Sequence, residues 1–215
     1  MTTHSDKAPR PMVIGLVGGV GAGKSAVAAC LARLGCVVID SDKRAKQKLN
    51  EPTVRDELVR WWGAGILDSK GDVDRSKIAQ IVFHSPAERQ RLEGMIHPLL
   101  ASERAQTIRQ AADSGASGVV IDAPLLLEAG LADQCDVVLF VESPRETRLQ
   151  RVIKNRGWDE QELDRREKSQ EGLEKKRRIA HDVIVNTGSA DDLFCEVSSV
   201  FRGLQRKASQ RSIES

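Results

Sequence analysis

Between Gly18 and Ser25 the chain reads Gly-Gly-Val-Gly-Ala-Gly-Lys-Ser, a run suited to a backbone that turns sharply and comes close to a ligand. It fits the phosphate-loop pattern Gly-x-x-x-x-Gly-Lys-Ser. The residues before it (Val13, Ile14, Gly15, Leu16, Val17) form an apolar run of buried-strand type. Those after it (Ser25 to Leu34) have helical spacing, with Val27, Cys30, Leu31 and Leu34 on one side. The glycines therefore stand where a strand becomes a helix N-terminus, where backbone N–H groups and the helix dipole attract an anion. This predicts a nucleoside triphosphate site built from Gly19, Val20, Gly21, Ala22, Gly23, Lys24, Ser25 and Ala26. Lys24 supplies a cation for the β- and γ-phosphates, and the Ser25 hydroxyl is a ligand for Mg²⁺. A dinucleotide-binding turn does not fit, because Lys24 stands where the last glycine of Gly-x-Gly-x-x-Gly is needed.

Further apolar runs at Val37–Asp40, Val119–Asp122 and Val137–Val141, with a shorter one at Val183–Val185, read as strands separated by helical stretches. That alternation predicts an α/β chain with a parallel sheet covered by helices in three layers. Two interruptions are too long for single crossovers. From about 43 to 117 the pattern is helical, with candidates Val54–Trp62, Arg75–Phe83, Pro86–Ile96 and Pro98–Ala112. From about 144 to 180 the chain is dense in Arg, Lys and Glu, as in a solvated helical face or a lid over a nucleotide. A last helix is expected over Ala190–Lys207. The organisation expected is one domain over 12–203, with flexible tails at 1–11 and 204–215.

Composition narrows the partners. The formal net charge of the 215 residues is only +2, and there is no tyrosine, with three Trp and four Phe. Neither a global field for nucleic acid nor a base-stacking surface is expected. Cys30, Cys36, Cys135 and Cys195 lack paired spacing and read as reduced thiols. No segment has signal-peptide or membrane-spanning character, so no membrane is expected and the location expected is the cytoplasm.

Among triphosphate-binding proteins, a GTPase would need an Asn-Lys-x-Asp segment, which is absent, and Asp68-Ser-Lys-Gly71 follows no strand. A small-molecule kinase fits better, and it must meet an acceptor hydroxyl and neutralise the transferred phosphoryl group. Asp40 and Asp42 stand at the end of the second strand, where an open parallel sheet faces its ligand. Asp42 is the candidate for orienting or deprotonating the hydroxyl, although Ser41 or Asp42 would also cap the helix that follows. Val119–Asp122 has the form of a strand ending in a Mg²⁺-linked acid, Asp122. Glu128 is either part of an acceptor pocket or a surface cap. Arg148, Arg151 and Arg156 are candidates for transition-state charge, and His97-Pro98 is a helix start that can lie beside substrate.

Taken together these residues resemble the dephospho-coenzyme A kinase family. The resemblance spans about Val13 to Leu193, through GLVGGVGAGKS at Gly15–Ser25, VIDSD at Val38–Asp42 and GDVDR at Gly71–Arg75. It continues through LEGMIHP at Leu92–Pro98, DAPLLLE at Asp122–Glu128, the Arg151–Arg156 segment, Gln170 and DVIVN at Asp182–Asn186. It implies a P-loop NTPase fold with an inserted helical substrate subdomain and a helical lid. It also implies ATP-dependent phosphorylation of the ribose 3′-hydroxyl of dephospho-coenzyme A, with Mg²⁺ the expected cofactor and a monomer or weak oligomer the expected state. Asp42, Lys24 and Arg156 would be catalytic, Asn186 would lie near the adenine, and Asp42, His97, Leu125 and Glu128 would meet the acceptor. Ser25 and Asp122 would hold the metal. Ala22 and Ala26 replace commoner Ser and Thr, and His181 stands where an acidic or small residue is frequent. The spacing from Arg151 to Arg156 is one residue longer than the usual pattern, which leaves both as candidates for the transferred phosphate. A nucleoside or nucleotide kinase, or a regulatory ATP-binding protein, are the other readings.

Overall fold

The computed structural model describes residues 10–213. Its strands are β1 (Val13–Gly18), β2 (Cys36–Asp40), β3 (Gly118–Asp122), β4 (Val137–Glu142) and β5 (Asp182–Val185), close to the apolar runs of the sequence. They form one sheet in the order β2-β3-β1-β4-β5. β1 is buried along its whole length and runs parallel to β3 (Ile14 opposite Val120) and β4 (Leu16 opposite Leu139). The connection from β1 runs to the β2 edge and the one from β3 runs to β4 on the other side, so the C-terminal ends of these central strands form the switch point where open α/β sheets bind ligands.

The chain divides into two compact units, residues 1–39 with 108–215, and residues 40–107. In the first unit the two-residue period of β1 feeds two cores. Ile14 and Leu16 face Val27 and Leu31 of α1 (Lys24–Arg33) and Val197 and Phe201 of α9 (Ala190–Ile213). Val13 and Val17 face the other side, with Ala111, Leu126 and Leu131. Helices thus cover both faces of the sheet, giving the three layers expected. In the 144–180 segment, α6 (Arg145–Arg156), α7 (Glu160–Lys168) and α8 (Leu173–Arg178) follow one another. Val152 and Leu163 from this segment bury against Val20 of the glycine-rich loop, with Leu149 and Trp158 alongside.

The second unit has its own core. Val54 and Leu58 of α3 (Pro52–Trp62) pack with Leu49 of α2 (Ser41–Leu49), Ile78 of α4 (Arg75–His84), Ile66, Val73 and Ile96. Asp68 Oδ1 accepts from Lys70 N and Asp72 N, at 2.8 and 3.0 Å, so Asp68–Gly71 is a side-chain-closed turn.

Two boundaries differ from expectation. Pro86–Ile96 and Pro98–Ala112 are one helix, α5 (Pro86–Asp113), with Pro98 inside it. The proline ring crowds the carbonyl four residues earlier, which here belongs to Gly94, a residue whose backbone relaxes easily. Leu92, Ile96 and Leu100 carry one apolar stripe across the proline. At the other end, α9 continues through Lys207 to Ile213, so 204–213 is helical rather than a flexible tail. The expected flexibility of 1–9 and 214–215 falls outside the described residues. No helix among the described residues is long and apolar enough to cross a membrane.

Candidate active site

The loop between β1 and α1 closes through Gly23, whose φ of 94° is a left-handed value that side-chain-bearing residues rarely adopt. Just before it, the Ala22 carbonyl accepts a 2.8 Å bond from Asn186 Nδ2. A Cβ on Gly23 would strike that same amide nitrogen. Asn186, 4% exposed, is therefore a clamp on the outer wall of the loop.

Lys24 folds back over the loop, its Nζ donating to Gly18 O at 3.1 Å and Gly19 O at 3.0 Å. Its pKa falls from 10.5 to about 8, chiefly because its ammonium is dehydrated, then because of the Lys176 ammonium; Asp122 opposes this, and Arg156 and Arg148 add to it. At the first turn of α1, Ser25 Oγ donates to Asp122 Oδ2 at 2.9 Å. The ends of β1 and β3 thus join a hydroxyl and a carboxylate beside the loop lysine, a pair of hard oxygen donors of the type Mg²⁺ takes with phosphates and water. Ala26, next on α1, is exposed.

The three arginines of α6 differ sharply. Arg148 is 4% exposed, donates to Ser143 O at 3.2 Å and Val20 O at 3.3 Å, and pairs with Glu167. Arg151 spends its guanidinium on Ala22 O and Ser143 Oγ (3.2 Å each) and on Asn186 O and Oδ1 at 3.1 and 3.2 Å. Arg156, at the end of α6, is exposed and lies 4.6 Å over the Trp158 ring. Arg151 is woven into the loop's support, whereas Arg156 has its charged face in solvent.

In the second unit, Asp40 is the cap of α2, its carboxylate accepting from Lys43 N at 2.9 Å. The capping task considered for Ser41 or Asp42 thus falls to Asp40, because β2 ends there and α2 begins at Ser41. Asp42 is exposed in the first turn of α2, and His97 is exposed in the middle of α5 rather than at a helix start.

The dephospho-CoA kinase family model matches residues 12–192. This chain belongs to the dephospho-CoA kinase family. It is similar to the dephospho-CoA kinase of Thermobifida fusca, 38% identical over 92% of this chain and 98% of that protein. A solved Thermus thermophilus structure superposes with a TM-score of 0.76 at 33% identity, covering 91% of this chain and 98% of that one. The Campylobacter jejuni dephospho-CoA kinase, 22% identical with a TM-score of 0.60 over 89% of this chain and 96% of its own, shares the fold.

Other positions of this dephospho-CoA kinase family member escape sequence reasoning. Lys176 sits in the run Leu173–Arg178, which reads as a solvated face, yet it is 3% exposed and its Nζ donates to Gln170 Oε1 at 2.8 Å. Nothing in its local spacing separates it from Lys175, which pairs with Glu171 in solvent. Glu128 accepts from Glu171 N at 2.6 Å, tying the loop after β3 to the start of α8. Leu125 is 45% exposed on that loop, beside the fully buried Leu126. His181 also has a definite task, its Nδ1 accepting from Val138 N at 3.0 Å at the edge of β4.

Proposed function

We propose that this kinase transfers the γ-phosphoryl group of ATP to the ribose 3′-hydroxyl of dephospho-coenzyme A, giving coenzyme A and ADP. The observation that carries the proposal is the joined set at the ends of β1 and β3: the glycine loop, Lys24 folded over it, and Ser25 bonded to Asp122. Family membership supplies the acceptor.

Residues Gly19 to Ala26 would receive the phosphates through backbone N–H groups, with Lys24 as the loop cation. Asn186 clamps the loop from outside and would border the adenine. Ser25 and Asp122 would hold Mg²⁺, which would supply positive charge against that of the phosphates. Asp42 would accept the proton as the 3′-oxygen bonds to the γ-phosphorus and the bond from that phosphorus to the β–γ bridging oxygen breaks. Arg156 would swing from Trp158 to the transferred group, since its guanidinium, unlike that of Arg151, is not committed to the loop. Residues 43–117 would form the substrate-binding insertion, with His97, Leu125 and Glu128 at the acceptor, and 144–180 the lid. A cytoplasmic monomer or weak oligomer that uses neither nucleic acid nor a membrane completes the reading.

The test is incubation with ATP, Mg²⁺ and dephospho-coenzyme A, with products read by mass. A gain of one phosphoryl group at the ribose 3′ position is the expected result. Folded protein that binds ADP but phosphorylates only simple nucleosides would overturn the acceptor assignment.

A further inference from the structure

Lys176 is not explained by the roles above. Its ammonium is buried, and its Nζ partner is a neutral carboxamide, Gln170 Oε1. The nearby acids hold other donors: Glu167 takes Arg148, Glu171 takes Lys175, and Glu128 takes the Glu171 N–H. Lys24 is in a similar state, its Nζ resting on two backbone carbonyls. α8, which carries Lys176, packs against β1, the strand that leads into the glycine loop. Burial lowers the pKa of both lysines, and each pays a dehydration cost that neutral acceptors offset only in part. Two dehydrated ammonium groups in one field are complementary to a polyanion.

We propose that Lys176 Nζ is a second cation of the nucleotide site, meeting phosphate oxygens of the bound nucleotide alongside Lys24. Gln170 holds the ammonium in place through a neutral bond that a phosphate oxygen can replace or share. The inference rests on the nucleotide reading of the glycine loop but not on the identity of the acceptor.

ADP binding by calorimetry tests it, in wild-type protein and in Lys176→Gln and Lys176→Arg, with thermal melts as the fold check. Lys176→Met, which keeps the buried stem, replaces Lys176→Gln if that variant fails to fold. ADP affinity should fall about 10- to 100-fold in the neutral variant and recover largely in Lys176→Arg. A second readout is adenosine, which lacks phosphates: its affinity should be the same in wild-type protein and in the neutral variant, whereas a purely structural lysine would lower both affinities together. Unchanged ADP affinity in a folded neutral variant, or an equal loss for adenosine and ADP, would overturn the proposal. Wild-type protein that binds no ADP would instead overturn the nucleotide reading on which it rests.

Discussion

The phosphate-loop end of the first unit and the start of the second unit carry charge in opposite ways. Around the loop, Arg148, Lys176 and Asn186 are each under 5% exposed, and Arg151 is fastened by four hydrogen bonds. In residues 40–107, Asp42 and His97 are exposed, and Asp40 is engaged only as a helix cap. The loop end is preorganised: its dipoles and cations are dehydrated and aimed before any ligand arrives, at a cost to stability. The start of the second unit keeps the Asp42 carboxylate hydrated, and the role proposed for it would require a ligand to displace that water.

The sharpest break of this comparison is Asp42→Asn. Turnover should fall ~10²–10⁴-fold while ADP affinity by calorimetry stays within about twofold. A variant with wild-type turnover would remove Asp42 from the reaction.

Lys24→Met should lower kcat/KM by ~10²–10³-fold, and it should also raise stability. The Lys24 pKa of about 8 lies below its ordinary 10.5, so between those values the unfolded chain holds more protons and stability rises with pH. Below about pH 8 the charged lysine costs up to about 3 kcal/mol. Urea melts should show the methionine variant more stable near neutrality, with the gap closing above about pH 10. A variant that is less stable near neutrality would contradict the preorganisation argument.

The two arginines sharpen the contrast within one helix. Arg156→Ala should cut kcat about 100-fold and leave stability within about 0.5 kcal/mol. Arg151→Ala should lower stability by about 2 kcal/mol, because Ala22 O loses one of its two donors and Asn186 O and Oδ1 lose the guanidinium. The reverse pattern in melts and kinetics would exchange their roles. Asp40→Ala has the smallest expected effect: about 1 kcal/mol from loss of the α2 cap, with kcat unchanged. A large loss of turnover there would make Asp40 part of the chemistry.

Much of this molecule was legible before folding. The glycine loop, all the strands and both long interruptions are local patterns, set by periodicity and by the backbone demands of Gly23. Pro98 marks a break in the local pattern but not in the helix, because a proline's local preference is weaker than the apolar stripe of Leu92, Ile96 and Leu100. The charged segment after β4 was the least legible, since Lys175 and Lys176 are identical as letters.

The sequence by itself determined the strand–loop–helix unit, the α/β class and the candidate phosphate and acceptor residues, because those depend on neighbours a few positions apart. Tertiary structure alone decided which cations are buried, which arginine supports the loop, and that Ser25 meets Asp122 across 97 positions. Dehydration and charge pairing depend on what packs against a side chain, and that is a property of the whole fold.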